Sequence, residues 1–296
     1  MESFQTKICC IILNFNDVDR TLKLAKTIKK YSTLEYVMAV DNCSTDNSWS
    51  TLSRLDDEKI ICIRTERNGG YGYGNNYAAR YAFDHLNSDA VLIVNPDVTF
   101  DEQLTCTLSQ AIQQDPSVGV ASAIQLDRNG CEIKRSAWRI PTIWEYIISL
   151  DQLLSKLMRG FYYSLEELHK APIVPVDCVA GSLLMITREA FEATKGYDEE
   201  MFLYCEETTL GCKIKEAGYR TVLCSDVSYK HLHGASISKS IQSSLKQRKI
   251  LLQSHHLLLK KYLKANRFQL MVDTVVGRIS LLQEAVKNFI RATIKK

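Results

Sequence analysis

Three groups of residues have the types and spacing to do chemistry. Asp97 follows Asn95 and Pro96 at the end of an unbroken apolar run, Ala90 to Val94. A carboxylate just past such a strand, two positions after an amide side chain, can hold a hard divalent cation that is itself bound to phosphate oxygens. The plainer reading is an Asp capping the following turn or helix. Glu206 and Glu207 open a helical stretch that runs to Ala217 and stops at Gly218. Two acids there either complement the helix dipole or set a general base at the mouth of a pocket. His231 and His233, at spacing two, either lie on a surface strand or supply a metal ligand.

These groups need elements to place them. Lys7 to Leu13 reads as a first buried strand that ends in the polar turn Asn14-Phe15-Asn16-Asp17. A helix over Val18 to Tyr31 leads to a second strand, Tyr36 to Val40, closed by Asp41. An acid at that edge of a nucleotide-binding sheet accepts hydrogen bonds from ribose or base. The polar residues that follow also suit a βα loop, with Ser44 or Asp46 capping a helix through Leu55. Ile60 to Ile63 is a third strand, and Asn68-Gly69-Gly70-Tyr71-Gly72-Tyr73-Gly74-Asn75-Asn76 precedes a helix over Tyr77 to His85. Four glycines let a backbone approach a ligand closely at a helix N-terminus, although the spacing is not that of a dinucleotide fingerprint. A helix over Asp101 to Gln114 and a strand over Val118 to Gln125 continue the alternation, which argues a parallel α/β sheet.

From Ile140 to Pro172 the rhythm breaks into an aromatic segment around Trp138, Trp144, Tyr146, Phe161, Tyr162 and Tyr163. It either lines an acceptor groove or packs as core or lid. Val176 to Thr187 is strand-like, and Gly181 within it marks a bulge or a close approach by a ligand. A further strand covers Thr221 to Cys224.

Composition narrows the class. The 296 residues are 46% hydrophobic and 24% charged, as in an ordinary globular protein. Neither a signal peptide nor an uncharged run near the ~18 residues that span a bilayer is apparent. Cys9, Cys10, Cys62, Cys178 and Cys224 sit in apolar runs and no C-x-x-C pair occurs, so the ten cysteines read as small hydrophobes in a reducing cytoplasm. The net charge of +3 hides an asymmetry: from Ser236 onward there are 13 Lys or Arg against Asp273 and Glu284 alone, leaving 24 basic and 32 acidic residues in the remainder. A basic tail on an acidic body implies an anionic partner. Because the body is acidic and no base-reading motif occurs, that partner is expected to be a membrane surface and not nucleic acid. In the tail, Phe268, Met271, Val272, Val275, Ile279, Leu282, Val286, Phe289 and Ile290 recur at helical spacing. Such a stripe among cations reads as an interfacial helix on an anionic inner leaflet, or as a helix packed on the domain or in a homodimer.

Taken together, Leu13-Asn14-Phe15-Asn16, Val40-Asp41-Asn42-Cys43-Ser44-Thr45-Asp46, the glycine-rich segment, Asn95-Pro96-Asp97, Ala180-Gly181-Ser182, Phe202-Leu203-Tyr204-Cys205-Glu206-Glu207 and His231-x-x-Gly234-x-Ser236 resemble the family-2 nucleotide-sugar glycosyltransferases. The likeness is greatest to the rhamnosyltransferase-like branch and covers roughly residues 7 to 240. It implies a GT-A fold over residues 1–238 with a helical tail over 239–296, inversion at the anomeric carbon, and a Mg²⁺ or Mn²⁺ cofactor. Carried over by position, Asp41 contacts the nucleoside beside Asn14 and Asn16. Asn68, Gly69, Gly70, Gly72, Gly74, Asn75 and Gly181 line the donor site. Asn95 and Asp97 match the ends of the metal-binding D-x-D, and His231 lies near the metal and diphosphate. Glu207 matches the catalytic base, with Glu206 as the alternative. Glu207 stands where Asp is commoner, and Thr209 where the branch has another Asp. The implied partners are a nucleotide-diphospho-sugar, dTDP-rhamnose first and UDP-hexose or UDP-galactofuranose next, and a saccharide or polyprenyl-linked saccharide acceptor. The implied setting is the synthesis of cell-surface polysaccharide in the cytoplasm or on the inner face of the membrane. An inactive nucleotide-sugar-binding module is the alternative of another class.

Overall fold

The computed structural model describes residues 6–55, 57–151, 155, 160–232 and 243–294. His233, Gly234 and Ser236 lie outside the described residues. The first half alternates strand and helix: β1 (Ile8–Asn14), α1 (Val18–Ile28), β2 (Tyr36–Asp41), α2 (Ser48–Leu52), β3 (Ile60–Arg64), α3 (Tyr71–His85), β4 (Ala90–Val94), β5 (Val98–Thr99), α4 (Glu102–Gln114) and β6 (Val118–Leu126). β7 (Ala137–Trp138), α5 (Ile143–Ser149), α6 (Leu165–Leu168), β8 (Ile173–Val176), β9 (Cys178–Val179), β10 (Leu183–Thr187), α7 (Arg188–Thr194), α8 (Glu206–Glu216) and β11 (Arg220–His231) follow. Two long helices close the described chain, α9 (Ser244–Lys261) and α10 (Arg267–Ile294).

β3, β2, β1 and β4 pair in that order, all parallel, so Asn14, Asp41 and Arg64 end on one edge of the sheet. β10 runs antiparallel between β4 and β6, with Leu183 opposite Val94. It thereby brings the start of one strand beside the end of another. β11 runs parallel to β6 and carries β5 on its far side, with His231 opposite Val98. Both faces of the sheet are covered. Ile8, Cys10 and Ile12 pack with α1 and α4, while Cys9 and Ile11 pack with α3, α7 and α8. That is why β1 and β4 read as continuous apolar runs with no alternation.

The structure corrects several expectations. α3 begins at Tyr71, six residues before the expected start, so Gly72 and Gly74 are helical. α2 ends at Leu52, and the residue preceding it is Asn47. Asp46 Oδ1 accepts from the Ser48 N–H, while Ser44 turns back toward Asp41. The strand expected over Thr221 to Cys224 continues to His231 through an irregularity between Cys224 and Ser228, which hid its second half. The aromatic segment is largely packing: Trp138 Nε1 donates to Thr208 Oγ1 at 3.1 Å, and Tyr146 stacks on His255. Among the described residues all ten cysteines are free; Cys62 is only partly buried, beside buried Cys9, Cys10, Cys178 and Cys224.

Candidate active site

The sheet edge gathers the first cluster. The Asn14 amide donates to Asp41 Oδ1 at 3.0 Å and to Ser44 Oγ at 3.1 Å. Asp41, fully buried, also accepts from the Ser44 N–H and pairs with Arg64 Nε at 3.2 Å. Asn16 adopts φ +54 and exchanges hydrogen bonds with Thr45. Asn42, which the sequence reading left without a role, joins this corner to the glycine segment through Asn68 Oδ1 and the Gly70 carbonyl.

Asp97 sits past β4 with its side chain 2% exposed, and its Oδ1 lies 3.1 Å from His231 Nε2. Burial pushes its carboxyl up, but the hydrogen bond and charge of His231 outweigh that and hold it below the ordinary carboxylate value. The Leu232 N–H donates to the Asp97 carbonyl, which fixes the two strand ends together. Gln125 Nε2 is 2.9 Å from His231 Nδ1 and sets the ring's orientation. The fit to a divalent cation can be tested on this donor set. No group of three or more His, Cys, Asp or Glu gathers among the described residues. The pair offers one oxygen and one nitrogen, as suits an ion that takes its remaining ligands from water and a diphosphate.

Glu206 and Glu207 form the first turn of α8. The two residues before them, Tyr204 (φ 73) and Cys205 (φ 68), are both left-handed. Such backbone is costly for residues with a Cβ and persists only where the surroundings enforce it. Here the chain reverses sharply and turns both carboxylates inward. Glu206 is fully buried; its carboxyl is raised by burial and further by the charge of Glu207. Glu207 is half-buried and is also raised by burial. Burial therefore outweighs the helix dipole expected to favour both anions. Glu207 Oε1 accepts from the Gly181 N–H at 3.4 Å.

Gly181 is the joint between the two halves. A Cβ there would lie 3.0 Å from Glu207 Oε1, so the close approach expected at this glycine is that of Glu207. Its carbonyl accepts from Tyr71 OH at 2.5 Å. The neighbouring Ser182 accepts at its carbonyl from the Asn95 N–H at 2.9 Å, and its hydroxyl meets Tyr229 OH at 2.8 Å. A short run of contacts thus leads from Asp97 through Asn95, Ser182 and Gly181 to Glu207.

The glycine segment differs from expectation in what it approaches. A Cβ on Gly69 would fall on the Tyr73 ring, on Gly72 against Tyr197, and on Gly74 against Leu13. Gly70, at φ +94, would drive one into the backbone of Phe202, whose carbonyl accepts from the Tyr71 N–H at 3.0 Å. Asn75 is fully buried in α3 and donates to the Tyr71 carbonyl. The glycines let protein meet protein and seat α3 against the segment that leads to Glu206. Replacing Gly70 with Ala is expected to destabilise the fold by about 2–4 kcal/mol, from overpacking plus a disfavoured φ. Thermal denaturation checks this, and a loss under about 0.5 kcal/mol would contradict it. Tyr71 and Gln125 were missed in the sequence. Gln125 lies one residue from the end of the mostly apolar β6, and a polar side chain there was the available signal.

An Asp–His pair thus lies at the carboxyl edge of an α/β sheet, joined through Asn95, Ser182 and Gly181 to the paired acids that open α8. The chain belongs to glycosyl transferase family 2, whose model matches residues 9–193, and is an enzyme of the glycosyltransferase type with a GT-A fold. It is 28% identical over 221 residues to the low-salt glycan biosynthesis hexosyltransferase Agl10 of Haloferax volcanii, covering 75% of this chain and 66% of that one. It is 25% identical over 225 residues to the N-acetylglucosaminyl-diphospho-decaprenol L-rhamnosyltransferase of Mycobacterium tuberculosis, covering 71% and 70%. Among solved structures it resembles the mannosyltransferase PcManGT from Pyrobaculum calidifontis in complex with GDP-Man and Mn²⁺. The TM-score is 0.57 at 16% identity, over 98% of this chain and 76% of that one, a likeness of fold alone.

Proposed function

We propose that the protein transfers a sugar, with inversion, from a nucleoside-diphosphate donor to a hydroxyl of a saccharide or polyprenyl-linked saccharide. The observation that carries this reading is the continuity from Asp97 to Glu207 through Asn95, Ser182 and Gly181. The acceptor hydroxyl loses its proton to Glu207 as its oxygen bonds to the anomeric carbon, while the bond from that carbon to the diphosphate oxygen breaks. Glu206 keeps its proton, because two adjacent buried carboxylates resist ionising together. Asp97 and His231 would hold a Mg²⁺ or Mn²⁺, which when bound supplies Lewis-acid neutralisation of the departing diphosphate. Asp41, Asn14 and Arg64 form the corner that receives the nucleoside.

The donor is read as dTDP-rhamnose, supported by the rhamnosyltransferase among the relatives; the hexosyltransferase relative keeps a UDP-hexose as second choice. A thermal-shift panel of dTDP-, UDP- and GDP-sugars with Mn²⁺ tests the reading. One donor is expected to raise the melting temperature in a cation-dependent way and to yield product with a saccharide acceptor. A cation-dependent shift without turnover would indicate a binding module instead. No shift with any donor would overturn the proposal.

A further inference from the structure

The face of α10 turned away from the protein is apolar along most of its length. Phe268, Met271, Val275, Ile279, Leu282, Val286 and Phe289 recur every three or four residues, and Leu282 and Phe289 are 65% and 74% exposed. The opposite face is spent on the fold. Ser280 Oγ donates to the Leu150 carbonyl at 2.8 Å, Gln283 Nε2 to Asp151 Oδ2 at 3.0 Å, and Gly277 packs on Leu252. The helix is therefore packed on the domain, as one sequence reading expected, by a face that carries Leu270, Val272 and Val276 beside these polar residues. The stripe cannot turn inward without breaking those contacts. Trp144 of α5, 45% exposed, meets Phe268 edge-on with ring centroids 6.5 Å apart and extends the apolar face beyond the helix.

Charge says what covers it. The exposed ionic side chains of α10 are the cations Arg267, Arg278, Lys287 and Arg291. Its two acids are turned to the protein: Glu284 is buried, and Asp273 lies 3.0 Å from His255 Nδ1 and 2.8 Å from His256 Nδ1. We propose that α10 lies flat on an anionic lipid bilayer, with the stripe and Trp144 in the headgroup–acyl boundary and its cations among lipid phosphates. A second copy of the chain would bring the same cations against themselves, whereas a lipid surface offers both an apolar layer and the opposite charge. The helix lies on the surface and does not cross it: among the described residues no helix is long and apolar enough to span a membrane. At 28 residues, α10 is about 42 Å long.

This docking is linked to the site. From α9, Ser254 Oγ donates to the Leu203 carbonyl, and Lys261 pairs with Asp198 and Glu200. The segment that delivers Glu206 and Glu207 is thus held by the hairpin that would rest on the bilayer, which suits an acceptor presented at a membrane. The lipid contact itself does not depend on the transfer reaction.

Co-sedimentation of the full chain with phosphatidylcholine vesicles, with and without phosphatidylglycerol, tests the proposal. Pelleting is expected with the anionic vesicles, to fall with added salt, and to drop about tenfold or more in the double variant Leu282→Ser, Phe289→Ser. An unchanged melting temperature and donor-induced shift in that variant would show that the fold and donor site are intact. Absence of pelleting with anionic vesicles, or equal pelleting by the variant, would overturn the proposal. So would a wild-type dimer in light scattering that the variant abolishes while neither protein binds vesicles.

Discussion

Glu207→Gln is expected to lower kcat by about 10²–10⁴-fold, the usual contribution of a positioned base, while donor-induced thermal stabilisation stays at the wild-type value. The two parts follow from one geometry. Glu207 is the carboxylate that reaches the Gly181 N–H and is only half-buried where Glu206 is buried, so its loss removes the proposed proton acceptor. The Asp97–His231 corner and the Asp41 corner are built by other strands and stay in place. Glu206→Gln serves as the control. A buried carboxyl whose pKa is raised by burial and by the charge of Glu207 is replaced by a neutral group of the same shape, and a loss under about tenfold is expected. Near-normal turnover in Glu207→Gln, or the larger loss in Glu206→Gln, would move the base assignment. The pH dependence has a definite sign. Glu207 must be ionised to accept a proton, and burial raises its pKa, so kcat climbs with pH through a value above the ordinary ~4.3 of Glu. Stability moves the other way. Above ~4.3 the native state holds protons that the unfolded chain has released, so stability falls as pH rises through that window.

Asp97→Asn is expected to weaken binding of a nucleoside diphosphate in Mn²⁺ by about 10²-fold or more and to remove its cation dependence in calorimetry. The substitution keeps volume and hydrogen-bonding capacity but deletes the one carboxylate beside His231 Nε2. Losing a ligand directly costs at least what losing a supporting group does, which is typically about 10–100-fold. The Gln125 contact to the ring and the Leu232 N–H to the Asp97 carbonyl persist, so the corner keeps its shape. Cation-dependent affinity unchanged by the substitution would place the metal elsewhere.

Much of this was legible in the chain. The parallel half of the sheet read directly because β1, β2 and β4 are buried on both faces and stop at a polar residue on the ligand edge: Asn14, Asp41 and Asn95. The acids at 97, 206 and 207 could be singled out by their places at strand and helix ends, although a cap and a helix dipole are plain alternatives there. Two features resisted. The start of α3 was misplaced because glycines lower helix propensity, and only the tertiary neighbours Tyr197 and Leu13 explain why they are tolerated there. The second half of β11 was lost because an irregularity interrupts it after Cys224, so His231, read as a surface-strand residue or a metal ligand, was not joined to the strand whose end it forms opposite Val98. The helix-cap assignment of Ser44 failed for a related reason: its hydroxyl is taken by Asn14 and Asn16, partners 30 and 28 positions away.

Gly70 and Gly72 owe their lack of a side chain to Phe202 and Tyr197, which lie more than a hundred positions downstream. Neither stretch can drift alone: a bulkier residue on one side demands a smaller or displaced one on the other. The two therefore form one heritable module, and a chimera that exchanges either stretch with a relative will need to carry both halves of that seam together.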